Sequence, residues 1–289
     1  MIFRPRVILT GSSGRTGRAL RRLRSSDWDI RPYSRSREAG SGIGALEELL
    51  TGSDGMEGEA VVHAAWSVVP ATAERADGPG PDLALLGKLL ERCRGVKAPP
   101  LFVFLSTGAV YGEAGECASR EADLAAPKGR YAAGKLEAEE MIRASGLPHA
   151  ILRISNLYGI PSRPDDPQGV IGKLLYLARE GGIFTRWGPD SRKDYLHGAD
   201  FAGALDAVIR RRLEGIWNLA SGEAVWLSEL IGMVEAATGK PIRVEEAAGV
   251  PWDVRDNRID AGAFREATGW ESKFRLKDWL ESEVGRGSV

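Results

Sequence analysis

Cysteine, histidine and long apolar runs are all scarce in this chain of 289 residues. Two cysteines, Cys93 and Cys117, are too few for a disulfide framework, and we expect both to be reduced thiols of a cytoplasmic protein. Three histidines without metal-ligand spacing argue against a metal site. No apolar stretch reaches the length of a membrane span, and the first predicted strand leaves no room for a cleavable signal, so we expect neither.

A strong net charge is also lacking. The formal net charge of −1 gives no global field that would attract nucleic acid or an anionic membrane, so neither is an expected partner. The arginine clusters at residues 21–24 and 210–212 lie on predicted helices and are interpreted as solvated faces. The apolar share of 43% is ordinary for a soluble globular protein, and the length is sufficient for a large core.

Apolar runs alternate with helical segments through the first half of the chain. The predicted strands are Arg6–Thr10, Asp29–Ser34, Ala60–Ala64, Leu101–Leu105 and Ala150–Ile154. The predicted helices are Arg15–Arg24, Ala45–Leu50, Asp82–Cys93, with Asp82 as its N-cap, and Arg130–Ala144. Continuous apolar strands are typical of parallel sheets covered by helices on both faces. We therefore predict an α/β fold with a Rossmann-type, doubly wound parallel sheet that binds its ligand at the carboxyl ends of the strands.

The second half is less regular. Pro161, Pro164 and Pro167 predict an exposed loop. Further helices are predicted at Val170–Glu180, Ala199–Arg211, Leu227–Thr238 and Leu276–Val284, with a short strand at Ile216–Leu219. We predict a nucleotide-binding domain over residues 1–160, to which residues around 190–220 return, and a smaller, mixed α/β substrate lobe over residues 161–289.

A glycine-rich turn follows the first predicted strand directly and opens the first predicted helix. Gly11 permits a tight turn, Gly14 lets the backbone approach a diphosphate, and Gly17 lets the helix pack on the strand. Backbone N–H groups at such a helix start favour an anion. We predict a dinucleotide site here, to which Ser13, Arg15 and Thr16 also contribute.

The end of the second predicted strand bears on the choice of cofactor. NAD sites usually place a carboxylate there, which accepts a hydrogen bond from the ribose 2′-hydroxyl. This chain has Tyr33-Ser34-Arg35-Ser36-Arg37 and no acid before Glu38. Arg35, with Ser34 beside it, is suited to a 2′-phosphate, and Arg15 is a possible second partner. We therefore predict NADP(H) rather than NAD(H); the alternative is that these arginines are solvated surface.

Tyr131 and Lys135 stand four residues apart, and so share one face of a predicted helix. An ammonium group one turn away and an oxidised nicotinamide would both favour the tyrosine phenolate, and a tuned tyrosine can exchange a proton with a carbinol or carbonyl oxygen. Ser106 and Thr107 follow another predicted strand and offer a hydroxyl that could hold the same oxygen. The pattern predicts oxidoreductase chemistry at a carbonyl or carbinol carbon.

These motifs together resemble those of extended short-chain dehydrogenases/reductases of the NAD(P)-dependent epimerase/dehydratase type, which act on nucleotide sugars. The matching segments are Thr10–Gly17 with TGxxGxxG, Val62–Ala65 with the strand that ends near the adenine and diphosphate, Ser106–Gly112 with SSxxVYG, Tyr131 and Lys135 with YxxxK, Arg153–Gly159 with RxxNxYG, Trp187–His197 with WG…RDYIHV, and Asn218–Gly222 with YN(I/L)xxG.

The resemblance implies a role for several residues. Thr107 takes the place of the catalytic hydroxyl, and Tyr131 and Lys135 that of the catalytic pair, with Lys135 also holding the nicotinamide ribose. Asn156 takes the place of an asparagine that meets the substrate diphosphate. The resemblance also places Ala64 and Ala65 at the cofactor, and it implies a homodimer formed through a four-helix interface, to which the leucines of Leu85–Leu90 and the Tyr131 helix could contribute.

The departures from the family pattern narrow the reaction. The family's 4,6-dehydratases carry Asp-Glu where this chain has Gly108 and Ala109, so dehydration is not expected. Lys193 replaces the arginine of RDY, and the arginine of another substrate-binding segment falls near Val250, for which Arg255 could substitute. These changes in the expected diphosphate clamp leave open a smaller or differently activated sugar.

Two further side chains lie at and after the end of the third predicted strand. Trp66 is a candidate for the lining of the substrate pocket, and His63 is expected to be a buried, hydrogen-bonded histidine. Three functions remain open. The leading one is an NADPH-dependent ketoreductase of a nucleotide-activated keto-sugar, the second is a 4-epimerase with tightly bound NAD, and the third is a non-catalytic NADP-sensing protein.

Overall fold

The computed structural model of this chain describes residues 3–35, 40–52, 56–68, 78–160 and 169–285. Its strands are β1 (Arg6–Thr10), β2 (Asp29–Ser34), β3 (Gly44–Ala45), β4 (Ala60–His63), β5 (Leu101–Thr107), β6 (His149–Ile154), β7 (Asn156–Tyr158), β8 (Ile183–Trp187), β9 (Arg192–His197), β10 (Gly215–Leu219), β11 (Ala224–Trp226), β12 (Arg243–Ala247) and β13 (Asp256–Asn257). Its helices are α1 (Arg15–Arg24), α2 (Leu46–Thr51), α3 (Gly80–Arg94), α4 (Arg130–Ala144), α5 (Val170–Glu180), α6 (Gly198–Arg211), α7 (Leu227–Thr238), α8 (Gly262–Thr268) and α9 (Leu276–Gly285), with a 3₁₀ helix at Gly108–Tyr111.

The main sheet is parallel and has seven strands within the described ranges, in the order β10-β6-β5-β4-β1-β2-β3. Successive residues of a strand point to opposite faces, and both faces are buried here. Val7 packs in one core together with α6, whereas Ile8 packs in another together with α3 and α4. Burial on both faces explains the continuous apolar runs, and it confirms the predicted Rossmann-type doubly wound sheet.

Several predicted boundaries change where strands meet the candidate site. β5 continues through Thr107, so Ser106 and Thr107 end the strand rather than follow it. β4 ends at His63, which leaves Ala64 in the following turn. The prediction that Asp82 caps α3 is wrong, because Pro79 is the N-cap and Asp82 lies buried in the first turn.

The leucine stripe of α3 is used mainly inside the chain. Leu86, Leu89 and Leu90 are buried in the core with α4 and the sheet, and Leu85 is partly buried against the same core. Intramolecular packing thus accounts for most of the stripe that suggested a dimer, and the homodimer stays a prediction.

Elements outside the main sheet surround its carboxyl edge. Helices α5, α7 and α9 share a core of their own that includes Leu174, Leu230 and Leu280. β9 pairs with β7, β11 and β13, and β8 pairs with β12. The sequence predicted neither these short strands nor α8. No helix in the described ranges has the length and apolar character needed to cross a bilayer. The predicted proline loop lies outside the described residues.

Candidate active site

The turn between β1 and α1 fits against the end of β4 without room for side chains. Gly11 has a φ of +73°, and a Cβ there would lie 2.6 Å from backbone atoms of Ala64 and Ala65. A Cβ at Gly17 would lie 2.2 Å from the carbonyl oxygen of Gly11. No side chain caps the N-terminus of α1, whose N-cap is Gly14, so its first N–H groups remain available to an anion. This side-chain-free cradle fits the diphosphate of a dinucleotide.

Ser12 holds the cradle in shape, a role that sequence reasoning missed. Its hydroxyl donates to the carbonyl oxygen of Leu9 at 2.6 Å and accepts from the amide of Tyr33 at 3.1 Å. Its own amide donates to the Tyr33 carbonyl at 3.0 Å. The ends of β1 and β2 are therefore fixed to each other beside the glycine turn. Because Ser12 and Ser13 are adjacent, the sequence did not indicate which of the two serines has this structural role.

Arg15 turns toward the substrate side of the cradle. Its Nη2 lies 3.4 Å from the carbonyl oxygen of Leu157, and its buried Nε has no partner among the described atoms. Burial lowers the pKa of the guanidinium. Arg35 is exposed at the end of β2, beside the buried Ser34. No carboxylate stands in β2 after Asp29, while residues 36–39, Glu38 included, lie outside the described ranges.

Thr107 and Tyr131 meet where β5 ends and α4 begins. The Thr107 hydroxyl accepts from the amide of Ala109 at 3.2 Å and hydrogen-bonds with the side chain of Tyr131. Burial raises the pKa of Tyr131 to about 12, and the hydrogen bond with Thr107 opposes this only in part. Lys135 is not among the groups that shift the pKa of Tyr131 in the described chain, so the expectation that Lys135 and an oxidised nicotinamide favour the phenolate stays a prediction for the protein with bound cofactor. The raised pKa favours the protonated phenol, the state of a proton donor.

Lys135 is buried one turn further along α4. Its Nζ donates to the carbonyl oxygen of Leu105 at 2.8 Å and lies 4.3 Å from the ring centre of Trp66 and 4.5 Å from that of Phe104. Burial lowers the pKa of Lys135 to about 7, against the opposing charges of Asp82 and Glu139. The same burial that raises the pKa of the phenol therefore lowers that of the ammonium.

Asp82 fixes the segment that carries Trp66. Its carboxylate accepts from the amide of Ser67 at 2.9 Å, from the Ser67 hydroxyl at 2.9 and 3.0 Å, and from the amide of Val68 at 3.4 Å. The indole of Trp66 is thereby held over Lys135. Asp82 therefore anchors the segment after β4. A single acidic residue near a helix start does not reveal such a role in the sequence.

A cleft of about 420 Å³ opens in front of these groups. The predicted site residues that line it are Arg15, Thr16, Ala64, Trp66, Thr107, Tyr131, Lys135, Asn156 and Lys193. The glycines of the turn, Ser13, Ser34, Arg35 and Ala65 do not line it. Arg255 is exposed outside it and takes part in contacts through its backbone, donating to Glu113 at 3.0 Å.

The far wall of the cleft includes Trp252, Asp253 and Val254, which the sequence did not assign to the site. The Lys193 ammonium holds this segment, donating to the Val254 carbonyl and lying 3.5 Å from Oδ1 of Asp253. Asn156 donates to the carbonyl of Asp194 at 3.0 Å and faces the same space. The sequence feature that could have indicated these lining residues is the departure from the family pattern near Val250.

His63 is the buried, hydrogen-bonded histidine that was expected. Its Nδ1 lies 2.8 Å from the Thr10 hydroxyl. Burial, with a smaller contribution from the charge of Lys135, lowers its pKa from 6.5 to about 3. The neutral ring is therefore favoured in the folded protein throughout the physiological range.

This shift predicts acid sensitivity. The unfolded chain binds a proton at His63 below pH 6.5, whereas the folded chain does not until about pH 3. The free energy of unfolding should therefore fall with decreasing pH across that window, by up to ~1.4 kcal/mol per pH unit from this group. Urea denaturation at several pH values should give a smaller slope for His63→Asn than for the wild type. Equal slopes would contradict the assignment.

The comparisons with known proteins agree with the motifs. The model of the NAD dependent epimerase/dehydratase family matches residues 7–220. The low-salt glycan biosynthesis protein Agl12 of Haloferax volcanii is 30% identical over 194 residues, which are 63% of this chain and 60% of that protein. UDP-glucose 4-epimerase of Streptomyces lividans is 30% identical over 203 residues, with the same shares. The chain thus spans about three fifths of the length of these curated relatives.

A solved structure covers nearly the whole chain. UDP-glucose 4-epimerase of Thermus thermophilus, in complex with NAD, superposes with a TM-score of 0.84 at 26% sequence identity. The superposition covers 98% of this chain and 100% of that one. The similarity therefore extends beyond residues 7–220 into the smaller cluster of elements around the cleft.

Proposed function

Because this chain belongs to the NAD-dependent epimerase/dehydratase family, we propose that it transfers hydride between a nicotinamide cofactor and a nucleotide-activated sugar. One observation carries the proposal: Thr107, Tyr131 and Lys135 line a single cleft beside the glycine cradle. A hydroxyl, a phenol and an ammonium are the groups that this chemistry requires at the reacting oxygen and at the cofactor.

Each of the three side chains has a separate task. A bound reduced nicotinamide supplies hydride to the carbonyl carbon of the substrate. Tyr131 gives its proton to the carbonyl oxygen and then regains one from solvent, while Thr107 holds that oxygen within reach of the phenol. Lys135 would hold the nicotinamide ribose of a bound cofactor, and its ammonium would place a positive charge near the forming phenolate. Burial raises the pKa of Tyr131, so the phenol carries the proton that this step requires.

Dehydration is not proposed. The family's 4,6-dehydratases carry acids where this chain has Gly108 and Ala109. Asp253 is the one carboxylate among the described lining residues, and it pairs with Lys193. A carboxylic acid that could protonate a leaving hydroxyl is thus missing from the described part of the cleft, and we propose a ketoreductase.

The reductase is proposed to use NADPH. Arg35 is exposed at the carboxyl end of β2, where a ribose 2′-phosphate would lie. A charge-assisted contact of this kind contributes ~1.5–3 kcal/mol, so Arg35→Glu should weaken NADPH binding about 10–100-fold and leave NADH binding nearly unchanged. Fluorescence titration with both cofactors measures this. Arg22→Glu, at an exposed arginine on α1, is the matched control.

Two results of that titration would contradict the assignment. One is a wild-type protein that binds NADH more tightly than NADPH. The other is an equal loss of NADPH affinity in the Arg35 and Arg22 variants, because a general effect of charge would then explain both.

A 4-epimerase with tightly bound NAD is the second candidate, and the similarity to UDP-glucose 4-epimerases favours it. Purified protein should be incubated with 4-keto and 4-hydroxy nucleotide sugars, with and without NADPH. Consumption of NADPH with the keto-sugar supports the reductase. Interconversion of 4-hydroxy isomers without added cofactor supports the epimerase. A lack of both reactions, with Tyr131→Phe indistinguishable from the wild type, would leave the cofactor-sensing function.

The assembly and location expected from the sequence remain proposals. A cytoplasmic homodimer formed through α3 and α4 predicts twice the monomer mass in light scattering. It also predicts that charged substitutions at exposed residues of α3 and α4 reduce the measured mass to that of the monomer. A monomeric wild type would contradict the dimer.

A further inference from the structure

A buried set of polar side chains lies directly behind the catalytic groups. Glu139, on α4, is 1% exposed, and Arg153, on β6, is 5% exposed. The Arg153 Nη2 donates to Oε2 of Glu139 at 2.7 Å, and its Nε lies 3.1 Å from the same oxygen. Ser106 completes the set by donating its hydroxyl to Oε1 of Glu139 at 2.5 Å. Both carboxylate oxygens are therefore occupied.

The three members belong to the elements that carry the site. Ser106 immediately precedes Thr107 in β5, and Arg153 is its neighbour in the parallel register of β6. Glu139 follows Lys135 by one helical turn and Tyr131 by two. The carboxylate of Glu139 thus joins the strand end that presents the hydroxyl to the helix that presents the phenol and the ammonium.

The set continues toward the far wall of the cleft. The guanidinium of Arg153 lies 4.7 Å from the ring centre of Tyr111, whose hydroxyl donates to Oδ1 of Asn218 at 2.7 Å. Asn218 in turn donates to the carbonyl oxygens of Ser119 and Asp260 at 3.0 and 2.9 Å. The chain of contacts links α4 and β5 to the segment near Asn257, which lines the cleft.

We propose that Glu139 is a positioning residue, which fixes the distance between the Thr107 hydroxyl and the Tyr131 phenol and supplies a fixed negative charge behind Lys135. The inference rests on the proposed function. This role gives the buried ion pair of Glu139 and Arg153 a purpose other than stability, because a buried pair by itself is weak evidence of stabilisation. A displacement of about 1 Å between reacting groups can cost up to ~10²-fold in rate.

The effect of the Glu139 charge on the pKa of Lys135 has a defined sign. The titratable groups around Lys135 are Asp82 from α3, Glu139 and Tyr131 from α4, and His63 from β4, which is neutral. Both carboxylates raise the pKa of Lys135. Removal of the Glu139 charge should therefore lower the pKa of Lys135. Turnover and cofactor binding, if they require the Lys135 ammonium, would then be lost at a lower pH than in the wild type.

The test is Glu139→Gln, which keeps the shape of the side chain, with Glu140→Gln as control at an exposed position on the same helix. We expect Glu139→Gln to lower kcat by about 10–100-fold, with both KM values within threefold of the wild type. The basic limb of the pH profile should move to lower pH, and one cofactor should still bind per chain. Glu140→Gln should behave as the wild type in every assay.

A second variant covers the case in which loss of the buried charge prevents folding. Ser106→Ala removes the contact between β5 and Glu139 but keeps the ion pair, so it should lower kcat about tenfold in a protein that is still folded and binds one cofactor per chain at the assay temperature. A Glu139→Gln protein with wild-type kcat and pH profile would overturn the proposal. So would a loss of activity that matches the loss of folded, cofactor-binding protein.

One readout does not depend on the reaction. The affinity for the reduced cofactor should fall with rising pH as Lys135 loses its proton, and this fall should occur at lower pH in Glu139→Gln. If the wild type shows the pH dependence without sugar turnover, and Glu139→Gln shifts it to lower pH, the proposed function fails and the electrostatic part of the proposal stands. If both proteins show the same pH dependence, the electrostatic part of the proposal is refuted.

Discussion

Tyr131→Phe should lower turnover of the keto-sugar by about 10²–10⁴-fold, the range that general acid catalysis supplies. The substitution removes the hydroxyl that hydrogen-bonds with Thr107 at the start of α4, and it leaves the ring and its burial in place. Binding of the cofactor and of the sugar should change less than threefold. Steady-state kinetics, together with direct titration of both ligands, measures the separation between binding and chemistry.

Tyr176→Phe is the matched control, because Tyr176 lies on α5, is 43% exposed and does not line the cleft. It should retain full activity. Turnover of Tyr131→Phe within about threefold of the wild type would remove the proton-transfer role from this side chain. A parallel loss of cofactor binding would instead show that the phenol acts in binding.

Gly17→Ala is expected to weaken cofactor binding strongly. A Cβ at this position would lie 2.2 Å from the Gly11 oxygen, 2.7 Å from the Cα of Ser12 and 2.9 Å from the carbonyl carbon of Gly11. All three are backbone atoms of the turn, so the cradle itself must move. Overpacking of this kind costs ~1–3 kcal/mol in stability, and the lost N–H contacts should weaken the cofactor by about 10²-fold.

Gly232→Ala separates the steric effect from the effect of alanine itself. Gly232 lies within α7, and a Cβ there meets nothing within 4 Å. The higher helix propensity of alanine should stabilise this variant by ~0.5–1 kcal/mol, without change in cofactor affinity. Thermal unfolding and cofactor titration of both variants provide the comparison. Wild-type affinity in Gly17→Ala would mean that the diphosphate binds elsewhere.

The central sheet could be predicted because its signals are local. β1, the glycine turn and α1 are adjacent in sequence, and the apolar runs of the buried strands need no distant partner to be identified. Two further rules applied to the site. Residues four apart share a helix face, which placed Tyr131 beside Lys135, and parallel strands end at one edge of the sheet, which placed Thr107 at the carboxyl edge. The pairing of Thr107 with Tyr131 came from the family resemblance.

Electrostatics at the site could not be predicted in the same way. The expectation that Lys135 and an oxidised nicotinamide favour the phenolate of Tyr131 used charge and spacing, whereas burial is the largest cause of the pKa shift of both groups. The ammonium of Lys135 is covered by Trp66, from the segment after β4, and by Phe104, from β5, and both are distant in sequence. Asp82 shows the same limit: its place near a helix start indicated a cap, yet its partners lie fifteen residues earlier in the turn after β4.

The far wall of the cleft was missed for a related reason. β11 and β13 are short, and they pair with β9 across long sequence separations, so their residues gave no periodic signal. Arg255 was a reasonable substitute for a missing arginine by position, but the pairing of β13 with β9 leaves it outside the cleft, which its neighbours Trp252 and Asp253 line instead.

In the proposed reaction, hydride passes directly between the nicotinamide and the sugar within this cleft, with Tyr131 as the proton donor. Isotope transfer tests this step: reduced cofactor deuterated at the transferring position of the nicotinamide is supplied together with a 4-keto nucleotide sugar, and the label is located by mass spectrometry and NMR. We expect one deuterium on the former carbonyl carbon, in a single configuration, and a rate that falls by the factor given above in Tyr131→Phe. Oxidised cofactor alongside an unlabelled product would contradict direct hydride transfer.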